Sequence, residues 1–364
     1  NYKPPQRAIF SIEDVRKFTQ SKTYSEYLRF VKECGESIRA TGIMSGKYPI
    51  SKTVLNIEKM LNEAEKWIED FPPINQPMRF GNRAFCSWHS RLSENALNLI
   101  QEILSESNKA NKFEISQDLA PYLCTSFGNE QRIDYGTGHE TNFCLFLYCL
   151  YKIEVLTSKD MPALVLNCFS TYLRVMRTLH KNYVLEPAGS HGAWGLDDYH
   201  CMPFLWGSAQ LIDNPEITPS NAVQDETMIK FGDDWMYVGA LQFTRSLKKG
   251  APFGECCSML YSISNLPSWK KVYSGMIKLY EGEVLGKLPV VQHIVFGKIL
   301  KATWLINSSS SSLSGASSPQ RPSQTNSPRE YDAFINVHAP WAQETKTGDY
   351  VNVMLGENES KNGA

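Results

Sequence analysis

Apolar residues recur along this chain at the three- and four-residue spacing of helices that bury one face. The first such set is Val54, Ile57, Leu61, Ala64 and Ile68, and charged residues lie between its members. Because an α-helix has 3.6 residues per turn, this spacing places all of them on one side. The segment Phe71-Pro72-Pro73 predicts the end of this helix, since proline disrupts the helical hydrogen-bond ladder.

Other segments carry comparable signals. The same period is found in a second set, Val165, Phe169, Tyr172, Met176, Leu179 and Tyr183. Segments 84–104 and 234–248 also favour helices, and Ser268 is a candidate N-cap for another helix that Pro289 would end. Strands with alternating apolar residues are not evident. We therefore predict an all-α fold, a single globular multi-helix unit with long loops between its helices.

Three loops stand out because long loops are uncommon in a compact helical domain unless they have a function. The first covers residues 126–139 and the second covers residues 186–199. The third, around residues 288–297, is shorter and contains Pro289, Gln292 and His293. We expect any chemistry of this protein to reside in these loops.

The first loop contains a candidate phosphate-binding segment, residues 132–140. Gly136 and Gly138 would let the backbone approach a ligand closely, and the amides that open the following helix favour an anion. Arg132 and Thr137 could add a guanidinium and a hydroxyl. An alternative is a plain glycine turn, in which Thr137 is the helix N-cap and Glu140 completes a capping box. The sequence leaves both interpretations open.

The second loop is rich in glycine and ends in the acidic pair Asp197-Asp198. Glycines at intervals of three, Gly189, Gly192 and Gly195, suit neither a helix nor a strand. The acidic pair could bind Mg²⁺ through oxygen and water. It could also begin a helix, because acidic residues favour the first turn.

Composition excludes several other classes of protein. The formal net charge of the 364-residue chain is -1 and no long basic segment occurs, which argues against nucleic-acid binding. The longest apolar run is about nine residues, too short for a membrane span. Neither a His-x-x-x-His zinc motif nor a Gly-x-Ser-x-Gly nucleophile motif is present. The nine cysteines are scattered, so we predict reduced thiols in a cytosolic or nuclear protein.

The C-terminal part has a different composition. The run from Ser308 to Pro328 is half serine and cannot bury enough apolar surface to offset its chain entropy, so we predict disorder there. Its steps Ser318-Pro319 and Ser327-Pro328 are either phosphorylation sites or plain linker. The predicted division is a helical domain over residues 1–306 and a Ser/Pro-rich, largely disordered tail over residues 307–364.

Four motifs together resemble those of the phosphotyrosyl phosphatase activator family. They are Arg79-Phe80-Gly81-Asn82, the segment 132–140, the segment 186–198, and Leu288-Pro289-Val290-Val291-Gln292-His293. The resemblance extends over about residues 8–300 and leaves out the tail. It implies an all-helical fold with core, linker and lid subdomains. It also implies that the protein activates, as a chaperone, the catalytic subunit of protein phosphatase 2A or a 2A-like phosphatase.

The resemblance further implies bound ATP and Mg²⁺. The residues at matching positions that would hold the nucleotide are Arg132, Thr137, Gly138, Val290, Val291 and Gln292. The carbonyl of Gly192 and the carboxylate of Asp198 would meet the magnesium. Ala193 stands where family members commonly have the larger valine, a difference that should not affect the metal.

Finally, the resemblance implies peptidyl-prolyl cis/trans isomerase activity on Xaa-Pro peptides. No catalytic residue is identified, and Glu186, Trp194 and Asp197 are the candidate peptide contacts. ATP hydrolysis would require a composite site that the phosphatase completes. The alternative is a scaffold or regulatory subunit that binds the phosphatase without nucleotide. The expected location is cytoplasmic and nuclear.

Overall fold

The computed structural model describes residues 2–77, 81–189, 195–248 and 252–308, with only the backbone for residues 306–308. Helices dominate these residues, so the predicted all-α class is confirmed. The strands are two residues long: β1 (Gln6–Arg7), β2 (Asp134–Tyr135), β3 (Glu186–Pro187) and β4 (Val295–Phe296).

The helices of the first half are α1 (Ile12–Thr19), α2 (Lys22–Glu36), α3 (Lys52–Asp70), α4 (Ala84–Ile103), α5 (Lys112–Thr125) and α6 (Thr137–Lys152). Those that follow are α7 (Met161–Ala163), α8 (Ser170–Tyr183), α9 (Met202–Gln210), α10 (Pro219–Ala222), α11 (Asp225–Phe231), α12 (Met236–Leu247), α13 (Phe253–Cys256), α14 (Ser258–Ile263), α15 (Trp269–Leu279), α16 (Leu288–Val291) and α17 (Thr303–Ser308). Short 3₁₀ turns lie at Ile43–Ser45 and Ser158–Asp160, and π turns at Leu164–Phe169 and Tyr280–Val284.

Residues Asn1–Trp304 form one compact unit, and a second unit runs from Leu305 to Ala364. The structure describes only the first four residues of the second unit, which are the end of α17. The predictions made for the tail beyond Ser308 therefore lie outside the described residues. The predicted boundary at residues 306–307 and the predicted core, linker and lid subdivision stay predictions.

The periodic segments form the predicted helices. The apolar set of residues 54–68 is buried along α3, whose N-cap Ser51 accepts a hydrogen bond from the amide of Val54. The segments predicted at 84–104 and 234–248 correspond to α4 and α12. The second periodic set, from Val165 to Tyr183, is also buried, but a π turn at Leu164–Phe169 interrupts it. A π turn changes one hydrogen-bond step and has no residue signature, so the sequence did not predict it.

One predicted helix end is wrong. Ser268 caps α15 as predicted, with its hydroxyl accepting from the amide of Lys271. The helix ends at Leu279 and a π turn continues it to Val284, before Pro289 is reached. Pro289 instead lies in the first turn of α16, where its missing N–H leaves no hydrogen bond unmade.

The centre of the core is α6. Every residue from Glu140 to Leu150 is buried, as expected for a helix that other helices surround. Helix α5 packs between α4 and α6, while α9 packs against α2, α12 and α15. At 16 residues, α6 is apolar but short. None of the helices in the described ranges combines the length and apolar character that a membrane crossing needs. The first loop therefore leads into a helix that is buried in the core.

Candidate functional site

A short parallel ladder joins the first two predicted loops. Strand β2 pairs with β3 in the register Asp134–Glu186 and Tyr135–Pro187. Beyond the ladder, the amide of Ala188 donates to the carbonyl of Tyr135 at 2.8 Å. A Cβ atom on Gly136 would lie 3.1 Å from the carbonyl oxygen of Ala188, so a larger residue would push the loops apart. The glycine of the first loop thus permits close approach of the second loop, about 50 residues away in sequence.

Two strained residues precede these strands. Ile133 has φ of 52° and Val184 has φ of 51°, both in the left-handed region that β-branched side chains rarely adopt. The carbonyl of Ile133 accepts from the amide of Glu186 at 2.9 Å, which ties this backbone into the loop junction. A Cβ atom on Gly81 would lie 2.5 Å from Cγ2 of Ile133 and 3.1 Å from the carbonyl oxygen of Val184. Gly81, from the first of the four motifs, therefore accommodates both strained positions.

The third loop reaches the same place. A Cβ atom on Gly138 would lie 3.4 Å from Cγ1 of Val290, so α16 lies against the first turn of α6. Val291 is fully buried, and the side chain of Gln292 donates to the carbonyl of Pro289 at 3.4 Å. The structure therefore brings Gly138 and Val290 together, with Val291 and Gln292 adjacent in the same segment.

The N-terminal strand fixes this third loop. Strand β1 pairs antiparallel with β4, so that Arg7 lies opposite Val295. The hydroxyl of Tyr122, on α5, donates to the carbonyl of Val295 at 2.6 Å. Residues from both ends of the first unit thereby position the late loop.

The first loop contains a carboxylate that lies between a guanidinium and an imidazole. Nε of Arg132 lies 2.6 Å from Oδ2 of Asp134, and a second guanidinium nitrogen lies 3.2 Å from Oδ1. Nδ1 of His139 donates to the carbonyl of Thr125, which leaves its Nε2 at 3.7 Å from Asp134. Burial raises the pKa of Asp134, but the nearby His139 and the hydrogen-bonded Arg132 outweigh it and hold that pKa below its ordinary value. Asp134 therefore lies between the guanidinium of Arg132 and the imidazole of His139.

Sequence reasoning did not assign His293 or Arg7 to this group. The pKa of His293 lies below its ordinary value because of burial first, and then because of the nearby charges of Arg132 and Arg7 and of His139. Arg132, Arg7 and His139 lie near enough to His293 to lower its pKa, whereas the carboxylate of Asp134 acts in the opposite direction. No local signal could have identified Arg7, because it arrives through the β1–β4 pairing.

Glu140 has a role that corrects the predicted capping box. The N-cap of α6 is Gly136, not Thr137, and no side chain caps this helix end. The carboxylate of Glu140 is fully buried and accepts from the amides of Cys201 and Met202, at 2.8 and 2.9 Å. Glu140 therefore caps α9 across the core, where the positive end of the helix dipole favours a carboxylate.

The same carboxylate binds a buried histidine. Oε1 of Glu140 lies 3.0 Å from Nδ1 of His200, which also lies 3.4 Å from the hydroxyl of Tyr135. Nε2 of His200 is buried without a hydrogen-bond partner. This contact connects the helix that follows the first loop to the residues that follow the second loop.

The two carboxylates of the acidic pair behave differently. Oδ2 of Asp197 accepts from the amides of Tyr199 and His200, and Oδ1 accepts from the hydroxyl of Thr244 at 2.8 Å. Since α9 begins only at Met202, the predicted helix start at this pair is wrong. Asp197 instead closes a turn, because its side chain bonds the backbone two and three residues ahead. Both of its oxygens are engaged, which leaves little capacity for a peptide contact.

Asp198 is paired with a cation. Its Oδ2 lies 3.3 Å from Nζ of Lys248, at the end of α12. Burial lowers the pKa of Lys248, but Asp198 and the sulfur of Cys257 outweigh it, so the net pKa lies above the ordinary value. A divalent cation at Asp198 would have to share or displace this ammonium. Across the described ranges, no group of three or more His, Cys, Asp or Glu side chains is arranged to hold a metal.

Some candidate residues lie outside the described part of the chain. Residues 190–194 are among them, so the predictions for Gly192 as a magnesium ligand, for Trp194 as a peptide contact and for Ala193 are not addressed. Glu186 is described and half-buried in β3. Of the predicted nucleotide residues, Arg132, Thr137 and Gly138 lie on the first loop and α6, and Val290 meets Gly138.

Comparison with known proteins gives consistent matches. A family model described as "Phosphotyrosyl phosphate activator (PTPA) protein" matches residues 5–302. Two Dictyostelium discoideum relatives, named probable serine/threonine-protein phosphatase 2A activators 2 and 1, are 40% and 37% identical over 302 and 297 residues. Each alignment covers 81% of this chain, with 64% and 90% of the respective relative. The chain thus spans slightly less than two thirds of the first relative.

A solved structure is also similar. The crystal structure titled as the PP2A phosphatase activator Ypa1 PTPA1 matches with a TM-score of 0.70 and 28% identity. The match covers 83% of this chain and 96% of that chain. The matched share of this chain, 83%, is close in length to the first unit, Asn1–Trp304, which contains the three loops.

Proposed function

The chain belongs to the phosphotyrosyl phosphate activator (PTPA) family, and on that premise we propose that it activates the catalytic subunit of a type 2A serine/threonine phosphatase, with ATP and Mg²⁺ bound at the three-loop site. The observation that carries the proposal is the convergence of the three loops on the first turn of α6. The names of the relatives supply the phosphatase. The loops supply the ligand chemistry.

The donor set fits a nucleotide. The first amides of a helix have no partner within it, so those of Thr137 and Gly138 are available to a phosphate. Arg132 adds a guanidinium that is 52% exposed, and Val290 adds an apolar contact beside Gly138. Asp198 would supply an oxygen ligand to Mg²⁺, whose charge neutralises the phosphates when it is bound.

ATP hydrolysis, in this proposal, requires the phosphatase as well. Phosphoryl transfer depends mainly on positioning and on charge stabilisation, and two proteins can share these tasks. The residues of this chain would bind and orient the nucleotide, and the phosphatase would complete the site. Isolated protein should therefore bind ATP but hydrolyse it far more slowly than the complex does.

Prolyl isomerase activity is a further part of the proposal. The barrier to peptide rotation is about 18–20 kcal/mol, and a groove that favours the twisted amide by about 4 kcal/mol would accelerate rotation roughly a thousandfold. Since both oxygens of Asp197 already accept hydrogen bonds, we take half-buried Glu186 as the peptide contact among the described candidates. A protease-coupled assay with a Xaa-Pro peptide, in the absence of phosphatase, tests this activity.

The alternative is a scaffold that binds the phosphatase without nucleotide. A specific observation favours it: Arg132 is paired with Asp134, and Asp198 is paired with Lys248. Internal pairing of this kind is what a purely structural arrangement of charges would have. The two functions differ in whether phosphatase activation needs ATP.

Isothermal titration of ATP with Mg²⁺ separates these two functions. Arg132→Ala should weaken ATP binding by about tenfold or more, the equivalent of one charge-assisted hydrogen bond. Arg174→Ala is a matched control, since Arg174 is 51% exposed and is paired with Glu65 away from the loops. No ATP binding by the wild type, or phosphatase activation that needs no nucleotide, would establish the scaffold instead. Equal ATP affinities in wild type and Arg132→Ala would remove Arg132 from the nucleotide site.

A further inference from the structure

Two adjacent thiols lie beside the Lys248–Asp198 pair. The sulfur atoms of Cys256 and Cys257 are 3.6 Å apart at the junction of α13 and α14. Cys256 is partly exposed, while Cys257 is 2% exposed. The ammonium of Lys248 donates to the backbone carbonyl of Cys256 at 3.2 Å and lies 3.3 Å from the Asp198 carboxylate. One lysine thus connects the dithiol to the candidate magnesium ligand.

The carbonyl that Lys248 binds belongs to the peptide bond between the two cysteines. A disulfide would shorten the sulfur–sulfur distance from 3.6 Å to about 2.05 Å. Its ring would close through that single trans peptide, which holds the two Cα atoms about 3.8 Å apart, closer than in ordinary disulfides. Closing the ring must move the two sulfur atoms and strain the peptide that joins the residues, so we expect the carbonyl of Cys256 to shift from its present position.

We propose that Cys256 and Cys257 are a reversible thiol-modification site, which forms a disulfide with hydroperoxides and thereby releases Lys248 from the carbonyl of Cys256. The effect of this release on magnesium and nucleotide rests on the function proposed above. The thiol chemistry itself does not depend on it.

The reaction balances with a hydroperoxide as the oxidant. The thiolate of Cys256, the more exposed of the two, attacks the terminal oxygen, the O–O bond breaks, and an alcohol leaves with a sulfenic acid on Cys256. The sulfur of Cys257 then attacks that of Cys256, the S–O bond breaks and water leaves. The two thiols lose two electrons and two protons, and the hydroperoxide is reduced to alcohol and water.

The strain in such a ring makes the modification reversible. A disulfide with distorted geometry is reduced more easily than an ordinary structural one. A thiol such as glutathione can therefore restore the pair once the hydroperoxide is gone. The Cα–Cα distance of about 3.8 Å across one peptide lies below the usual range for disulfides, so this pair suits a transient bond better than a permanent crosslink.

Mass spectrometry of the full chain tests the modification. Reduced protein is titrated with tert-butyl hydroperoxide, alkylated and digested. The peptide that contains both cysteines should lose two hydrogens and resist alkylation, and dithiothreitol should reverse both changes. Cys256→Ser and Cys257→Ser should each abolish the product, whereas the matched control Cys124→Ser, another partly exposed cysteine, should retain it. Complete alkylation of both thiols, or oxidation of Cys256 alone to a sulfinic acid, would overturn the proposal.

The coupling to Lys248 has its own readout. Acetylation by an N-hydroxysuccinimide ester should modify Lys248 several-fold faster in the oxidised protein, while the exposed Lys270 reacts at an unchanged rate. An unchanged rate at Lys248 would refute the coupling. Both measurements proceed without nucleotide, so failure of the protein to bind ATP would refute the proposed function and leave this inference standing.

Discussion

Oε2 of Glu140 accepts a hydrogen bond from the backbone amide of Met202 at 2.9 Å, across the centre of the molecule. Glu140 belongs to the first turns of α6, and Met202 begins α9. The contact therefore fixes the helix that follows the candidate phosphate loop against the helix that follows the acidic loop. A single buried carboxylate sets the distance between two parts of the candidate site.

Replacement of Glu140 by glutamine should reduce stability. Because Cys201 and Met202 both donate to Oε2, the glutamine oxygen would take that place and the amide nitrogen would replace Oε1 beside Nδ1 of His200, so the buried histidine contact loses its acceptor and α9 loses the negative charge at its N-terminus. We expect the free energy of unfolding to fall by about 2–4 kcal/mol, as measured by urea denaturation. Glu94→Gln, on the exposed side of α4, should change it by less than about 0.5 kcal/mol. Equal effects of both substitutions would contradict the capping role.

The close approach at Gly81 gives a second prediction. In Gly81→Ala, the added methyl group would clash with the Ile133 side chain and with a backbone carbonyl. Because strained backbone has little room to adjust, we expect a loss of about 1–3 kcal/mol of stability in thermal or urea unfolding. Gly282→Ala is the control, since a Cβ atom there meets nothing within 4 Å. That substitution should be neutral or stabilising, and a similar loss in both variants would show that the contact at Gly81 is not the cause.

A substitution at Gly138 separates binding from folding. A Cβ atom at this position makes an ordinary contact of 3.4 Å with Val290, and alanine favours a helix over glycine by about 1 kcal/mol. Gly138→Ala should therefore keep or raise the melting temperature. If the backbone of Gly138 meets a phosphate, the same variant should bind ATP more weakly in isothermal titration. If the wild type binds ATP and Gly138→Ala binds it with the same affinity, close backbone contact between Gly138 and a phosphate is excluded.

The buried His180 predicts a loss of stability in mild acid. Its pKa lies well below the ordinary value, because of burial first and the neighbouring His200 second, and its Nε2 has no hydrogen-bond partner. The unfolded chain takes up a proton below about pH 6.5 while folded His180 does not. Stability should therefore fall as pH falls below that value, by up to about 1.4 kcal/mol per pH unit.

Urea denaturation between about pH 5 and pH 8 measures this dependence. In His180→Gln, the slope of the unfolding free energy against pH should decrease by the contribution of one proton below about pH 6.5. Part of the slope should remain, because the pKa values of His89 and His293 are also lowered. A slope that is identical in wild type and His180→Gln would show that His180 does not cause the effect.

Helices with one buried face were predictable, because burial imposes a period on the sequence. The α3 residues from Val54 to Ile68 are an example. Strands β2 and β3 were not predictable, since two residues are too few to show alternation. The pairing of Asp134 with Glu186 is therefore visible only in the structure.

Parts of the candidate site were predictable for a different reason. Gly138 and Val290 could be named because their motifs resemble those of a family, and the structure places them in contact. Arg7 could not be named, because it reaches the site through a strand pair with residues nearly 290 positions away. The capping-box interpretation of Glu140 is wrong. The sequence could not exclude it, because the local pattern of a capping box is the same whether the carboxylate caps its own helix or a distant one.

The pairing of β1 with β4 has a consequence for synthesis on the ribosome. Residues 6–7 leave the ribosome long before their partners at 295–296, which follow only after nearly all of the first unit has been translated. A nascent chain can bring together the loops that β2 and β3 join. It lacks Val290, which lies beside Gly138, until translation of the first unit is nearly finished. The three loops thus come together late in synthesis, and a prematurely terminated product, even one that keeps most of its helices, would lack the third loop.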